Sequence, residues 1–110
     1  MNFKIEGGRK LHGTVTINTA KNSAVALIVA SLLNRGETRL KRVPKIEEVE
    51  RLREVLTSIG VKITWRGEDL IIEPPTKLRP ENLDIAAAVK TRSILLFLGP
   101  LIHSCPRFKL

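Results

Sequence analysis

Apolar residues in this chain are spaced in three ways, and each spacing predicts a different element. Alternation comes first. Val15 and Ile17 against Thr14 and Thr16 predict a half-buried strand over 14–18, and Phe3 to Glu6 predicts a shorter one that ends at Gly7-Gly8. A nearly continuous apolar run from Ser23 to Leu33 then predicts a helix buried on most sides, with no wet face. Asn34-Arg35-Gly36 stops that helix, with Arg35 suited to its negative end. The stretch from Glu37 to Val43 reads as a third strand, and its Arg39, Lys41 and Arg42 fit an exposed face or an edge.

Past Pro44, which opens a second helix, the period becomes helical. Ile46, Val49, Leu52, Leu56 and Ile59, with Val55 beside them, form one face, while Glu47, Glu48, Glu50, Arg51, Arg53 and Glu54 form the other. This is a surface helix closed by Gly60, and its Glu47–Arg51 pair contributes only ~0.2–0.5 kcal/mol of scaffolding. Val61, Ile63 and Trp65 alternate with polar residues, Gly67-Glu68-Asp69 turns the chain, and Leu70-Ile71-Ile72 returns as a hairpin. Pro74-Pro75 begins a polar segment to Asn82 that cannot extend a sheet. Ile85 to Ile102 is apolar again, with a helix expected from about Arg92 and ended or kinked by Pro100. Phe108 to Leu110 reads as the opening of a strand. The resulting β-α-β-α-β-β order, followed by a helix, predicts an α/β (α+β) chain with helices packed on a sheet.

Composition narrows the function. With 110 residues and 43% hydrophobic content, one small domain with a core is expected. No apolar run approaches the ~18–20 residues of a membrane span, and the opening residues have no signal-like apolar region, so the expectation is a cytoplasmic protein with no membrane partner. The single cysteine, Cys105, fits a reducing compartment and is expected to be buried and inert. No spacing suits a metal, and neither a metal nor a cofactor is expected. A net charge of +8 suits nucleic acid, an anionic small molecule, or a charge-balancing remainder. An aromatic content of 4%, with no Tyr, supplies no stacking platform and argues against specific nucleic-acid binding.

The candidate chemistry lies at helix starts. Lys21 and Asn22 fall in the first turn of the buried helix, where the helix dipole disfavours a cation by ~0.3–1 kcal/mol. A lysine added to unpaired N–H groups makes a place for an anion. Arg92 repeats that arrangement at the later helix and is a second candidate anion contact. For each, the plain alternative is a solvated side chain. His12 beside Gly13 reads as a turn residue, not a general base.

Four blocks together resemble the UDP-N-acetylglucosamine 1-carboxyvinyltransferase family, N-terminal portion: T-V-T-I-N-T-A-K-N-S-A, R-V-P-K-I-E-E-V-E-R-L, L-x-x-I-G-V-K-I, and V-K-T-R-S-I-L-L-F-L-G-P-L. The resemblance implies transfer of the enolpyruvyl group of phosphoenolpyruvate to the 3′-hydroxyl of UDP-N-acetylglucosamine, in peptidoglycan precursor synthesis. It implies the βαβαββ repeat unit of the enolpyruvyl transferase inside-out α/β barrel, incomplete here. Residues 1–20 would then be strands that complete a second domain, and 21–110 a partial first domain. By position, Lys21 and Asn22 match the family's phosphoenolpyruvate contacts, and Arg92 matches an arginine that binds UDP-N-acetylglucosamine. Asn18-Thr19-Ala20 departs from the family's Ser-Gly-Ala. The family's catalytic cysteine lies beyond Leu110 and Cys105 is not its counterpart, so no catalytic residue is assigned and the chain alone is expected to be inactive, its partner being the remainder of the enzyme or a second copy. Two alternatives stand beside this: the shikimate-pathway enolpyruvyl transferase, disfavoured by Asn22 and by the absence of arginine from Ser23 to Leu33, and a non-catalytic associating domain of the same fold.

Overall fold

The computed structural model describes residues 2–17, 19–105 and 107. Its centre is a helix, α2 (Glu47–Ser58), whose Val49, Leu52, Val55 and Leu56 are completely buried. Glu47, Glu48 and Glu50 fill its first turn, where the dipole favours carboxylates. Arg51 ion-pairs with Glu47 at 3.3 Å and with Glu54 at 3.0 Å on the outer face, so the two faces divide as the 3.6-residue period predicts. Gly60, at φ 101°, supplies the left-handed residue that ends the helical region.

Around α2 the chain runs α1 (Lys21–Ala30), a 3-10 turn (Ser31–Leu33), β1 (Thr38–Leu40), α2, β2 (Lys62–Arg66) and β3 (Asp69–Glu73). A second 3-10 turn (Pro80–Asn82), α3 (Ile85–Ala88), a 3-10 segment (Arg92–Phe97) and α4 (Leu98–Ser104) follow. The described residues form an open antiparallel sheet in the order β1-β3-β2, with β1 at an edge as its charges predict. Register places Ile63 opposite Ile72 and Trp65 opposite Leu70, so one row of apolar side chains meets the helices. Gly67, at φ 64°, permits the two-residue hairpin turn. Helices and strands alternate over one core, the mixed α/β (α+β) class expected, with an unclosed sheet.

Asp69 ties the β1–α2 connection to the hairpin. It accepts from the Arg42 backbone N–H at 3.0 Å and from the Arg39 guanidinium at 2.7 Å, and these two, in that order, hold its carboxyl below the usual carboxylate range. Arg42, whose N–H makes the first of these contacts, lies in the left-handed region at φ 51°.

Four expectations need correction. Residues 3–6 and 14–17 form no strand, and Asn18 lies outside the described residues; Phe3, Ile5, Val15 and Ile17 are exposed. Alternation makes a segment able to pair, but a strand exists only where a neighbour takes its N–H and C=O groups. Second, α1 is buried on one face only: Ala24, Val25, Ile28 and Val29 pack on the core while Leu27 stays 54% exposed. Apolar residues on all sides state what a helix can bury, not how many neighbours this chain supplies. Third, the expected helix from Arg92 is a 3-10 segment that becomes α-helical only at Leu98. Fourth, Pro100 lies in the first turn of α4 and does not end it, because an N–H missing there costs no bond within that helix. The strand expected at Phe108–Leu110 falls outside the described residues.

Candidate functional site

The start of α1 is an uncapped helix end. Ala20 precedes it in extended conformation with no side-chain oxygen to offer, and no acidic residue occupies the first turn. The first N–H groups of α1 have no acceptor within the helix, and Lys21 and Asn22 stand beside them, both exposed. Across from them, Thr91 precedes the 3-10 segment that begins with Arg92, and its Oγ1 accepts from Ser93 N at 3.2 Å.

A cavity of about 480 Å³ opens between these two starts. Lys21, Asn22 and Val25 line it from α1, Glu48 from α2, and Lys90, Arg92, Ser93 and Leu96 from the later segment. The fold therefore brings together all three residues singled out from the sequence, although Arg92 lies far along the chain from Lys21. An adjoining cavity of about 420 Å³ shares Lys21, Glu48 and Lys90. Larger hollows of about 630 and 640 Å³ lie along the Pro74–Asn82 region and contain none of the three.

The carboxylate of Glu48 is the floor of the site. Its Oε2 pairs with Lys21 Nζ at 3.2 Å, and its Oε1 accepts from Thr91 Oγ1 at 2.6 Å and Ser93 Oγ at 2.5 Å. The hydroxyls of Ser93 and Thr91, in that order, outweigh the opposing effect of burial, and with the Lys21 ammonium they hold its carboxyl down to about 2. Lys21, Lys90 and Arg92 outnumber this one carboxylate, so the cavity remains cationic. Such a wall, with unpaired N–H donors beside it, suits a small anion bearing phosphate or carboxylate groups.

The pattern reading missed Glu48, since it sits among six charged residues on the polar side of α2. A signal existed in its place in the first helical turn, and in Thr91 as a capping residue before Arg92. His12 is exposed on the leading arm, and Cys105 is a buried free thiol away from the cavity. Among the described residues, no group of three or more His, Cys, Asp or Glu side chains could hold a metal.

A family model described as EPSP synthase (3-phosphoshikimate 1-carboxyvinyltransferase) matches residues 5–104. The chain belongs to this enolpyruvyl transferase family. Within it, the chain is homologous to an N-terminal part of the UDP-N-acetylglucosamine 1-carboxyvinyltransferases. The enzyme of that name from Corynebacterium efficiens is 35% identical over 105 residues, covering 96% of this chain and 25% of the relative. UDP-N-acetylglucosamine 1-carboxyvinyltransferase 2 of Bacillus subtilis is 39% identical over 107 residues (97% and 24%), and the Bradyrhizobium diazoefficiens enzyme 32% over 103 (94% and 24%). The chain spans about a quarter of the length of the curated relatives it matches.

Proposed function

We propose that this chain carries the anion-binding part of an enolpyruvyl transferase that moves the enolpyruvyl group of phosphoenolpyruvate to the 3′-hydroxyl of UDP-N-acetylglucosamine, a step of peptidoglycan precursor synthesis. Lys21 and Asn22 contact phosphoenolpyruvate, and Arg92 contacts UDP-N-acetylglucosamine. The observation that carries this reading is the convergence of Lys21, Asn22 and Arg92 on one cationic cavity at an uncapped helix start. Fixed cations and N–H donors neutralise the phosphate and carboxylate of phosphoenolpyruvate and stabilise charge that develops at the reacting carbons.

Proton transfer needs a further group. Glu48 is ionised at neutral pH and committed to three partners, so it is not a general acid. The reading accordingly makes residues 21–110 part of a first domain, with residues 1–20 completing a second one and the remainder of the enzyme as partner. A cytoplasmic setting goes with it.

The test is titration of the purified chain with phosphoenolpyruvate and with UDP-N-acetylglucosamine, followed through backbone amide shifts, with Lys21→Ala as control. Shifts at Lys21, Asn22 and Arg92 that the variant shows only at higher ligand concentration are expected, with no turnover by the chain alone. A folded sample with no shifts overturns the reading. The exposed apolar side chains of the leading arm favour a second reading, a non-catalytic associating domain, whose test is size in solution.

A further inference from the structure

Three segments far apart in sequence meet at a single carboxylate. The two Glu48 oxygens divide the work: Oε2 faces the Lys21 ammonium at 3.2 Å, and Oε1 accepts from Thr91 and Ser93. Thr91 is only 5% exposed, and by capping the Arg92 segment it passes the constraint to the backbone on which Arg92 is carried. A lysine on a flexible four-carbon stem has no fixed position of its own. Glu48 does, because the opposite face of α2 is locked into the core.

We propose that Glu48 is the positioning residue of this site: it holds Lys21 at the start of α1 and, through Thr91 and Ser93, holds the turn that bears Arg92, so that both cations face one anion. The inference rests on the anion-site reading above. Glu48 does not cancel the site, since Lys21, Lys90 and Arg92 all line the same cavity. Its role is to convert two mobile cations into a fixed pair, which lowers the ordering cost that an anion meets on binding.

The experiment is a phosphoenolpyruvate titration, by amide NMR, of the native 110-residue chain, Glu48→Ala, Glu48→Gln, Lys21→Ala and the Lys21→Ala/Glu48→Ala double variant. Glu48→Ala is expected to weaken binding roughly 10-fold, as for loss of one charge-assisted contact. In the Lys21→Ala background the same change should cost clearly less, because much of its effect runs through Lys21. Glu48→Gln keeps an acceptor for the two hydroxyls and drops the charge, so it should fold normally and bind with an intermediate loss. It replaces the alanine variant in the cycle should that one unfold. Equal or tighter binding by the Glu48 variants overturns the inference, for the carboxylate then only competes with the anion. An identical cost in both backgrounds also overturns it. If the folded native chain and Lys21→Ala both fail to bind, the anion-site reading falls and this inference with it. Native binding with indifferent Glu48 variants overturns this inference alone.

Discussion

A carboxylate that accepts two hydroxyl hydrogens and faces an ammonium stays charged well into acid, and at Glu48 this sets a pH dependence. Its carboxyl is held at about 2 when folded against an ordinary 4.5, so its contribution to stability is complete above the ordinary value and is lost as pH falls toward 2. The side chain remains 22% exposed. After solvent screening, its contribution is ~1–2 kcal/mol at neutral pH. Glu48→Gln should therefore destabilise by about that amount at pH 7 and show a flatter decline between pH 4.5 and 2; urea melts at several pH values check both. Arg42 stores strain at φ 51°. Left-handed backbone costs an L-residue ~1–2 kcal/mol, of which glycine's unfolded-state freedom takes back ~0.5–1. Arg42→Gly should thus be neutral or stabilising by up to ~1 kcal/mol, and Arg42→Val destabilising, in urea midpoints.

Among elements, α2 carries the fold, because its inner face touches α1, α3 and β2 together. Leu52 is completely buried, so Leu52→Ala leaves a cavity in the core and should cost ~3 kcal/mol or more. In a domain stabilised by only ~5–15 kcal/mol, that lowers the thermal midpoint by many degrees, readable by circular dichroism. Gly60 ends this helix at φ 101°, and a Cβ there would lie 3.4 Å from Pro75 Cγ. Gly60→Ala should cost ~1–2 kcal/mol, mostly as backbone strain. The face of α2 and the hairpin were readable in Ile46–Ile59 and Val61–Ile72 because their own periodicity dictates what they bury. The strands at residues 3–6 and 14–17 were not, since alternation without a pairing neighbour leaves the backbone groups to water. The Arg92 segment was half readable. Its start at Arg92 was legible, while the 3-10 winding as far as Phe97 was not, because it depends on how the segment packs against α1.

At the scale of the molecule, the described chain is elongated. Its radius of gyration is 17.4 Å, where a compact chain of this length would have about 13 Å. The leading arm accounts for apolar surface without a partner: Phe3 is 80% exposed, and Ile5, Leu11, Val15 and Ile17 are exposed with it. Outer residues of the helical layer, among them Leu33, Ile85, Val89 and Ile102, are exposed as well. Large apolar side chains left exposed along the arm and on the helical layer favour association. The chain should self-associate with rising concentration in sedimentation, and removal of residues 2–17 should reduce that association. Since no arm residue belongs to the core, the same deletion should leave the unfolding free energy within about 1 kcal/mol. A monomer at all concentrations would contradict the associating surface.

What the amino-acid sequence determined by itself was local: the amphipathic α2, the hairpin and its glycine turn, the cation at a helix start, and the blocks that resemble one enzyme family. Those features depend on neighbours within a few residues along the chain, which the order of residues states directly. What only the tertiary structure decided was which faces found partners, and which charged residue of α2 became the common anchor of Lys21, Thr91 and Ser93. Lys21 and Arg92 were each legible as candidates, but their meeting in one cavity, across Glu48, depends on how α1, α2 and the 3-10 segment pack. Packing is a property of the whole core, and no single stretch of sequence carries it.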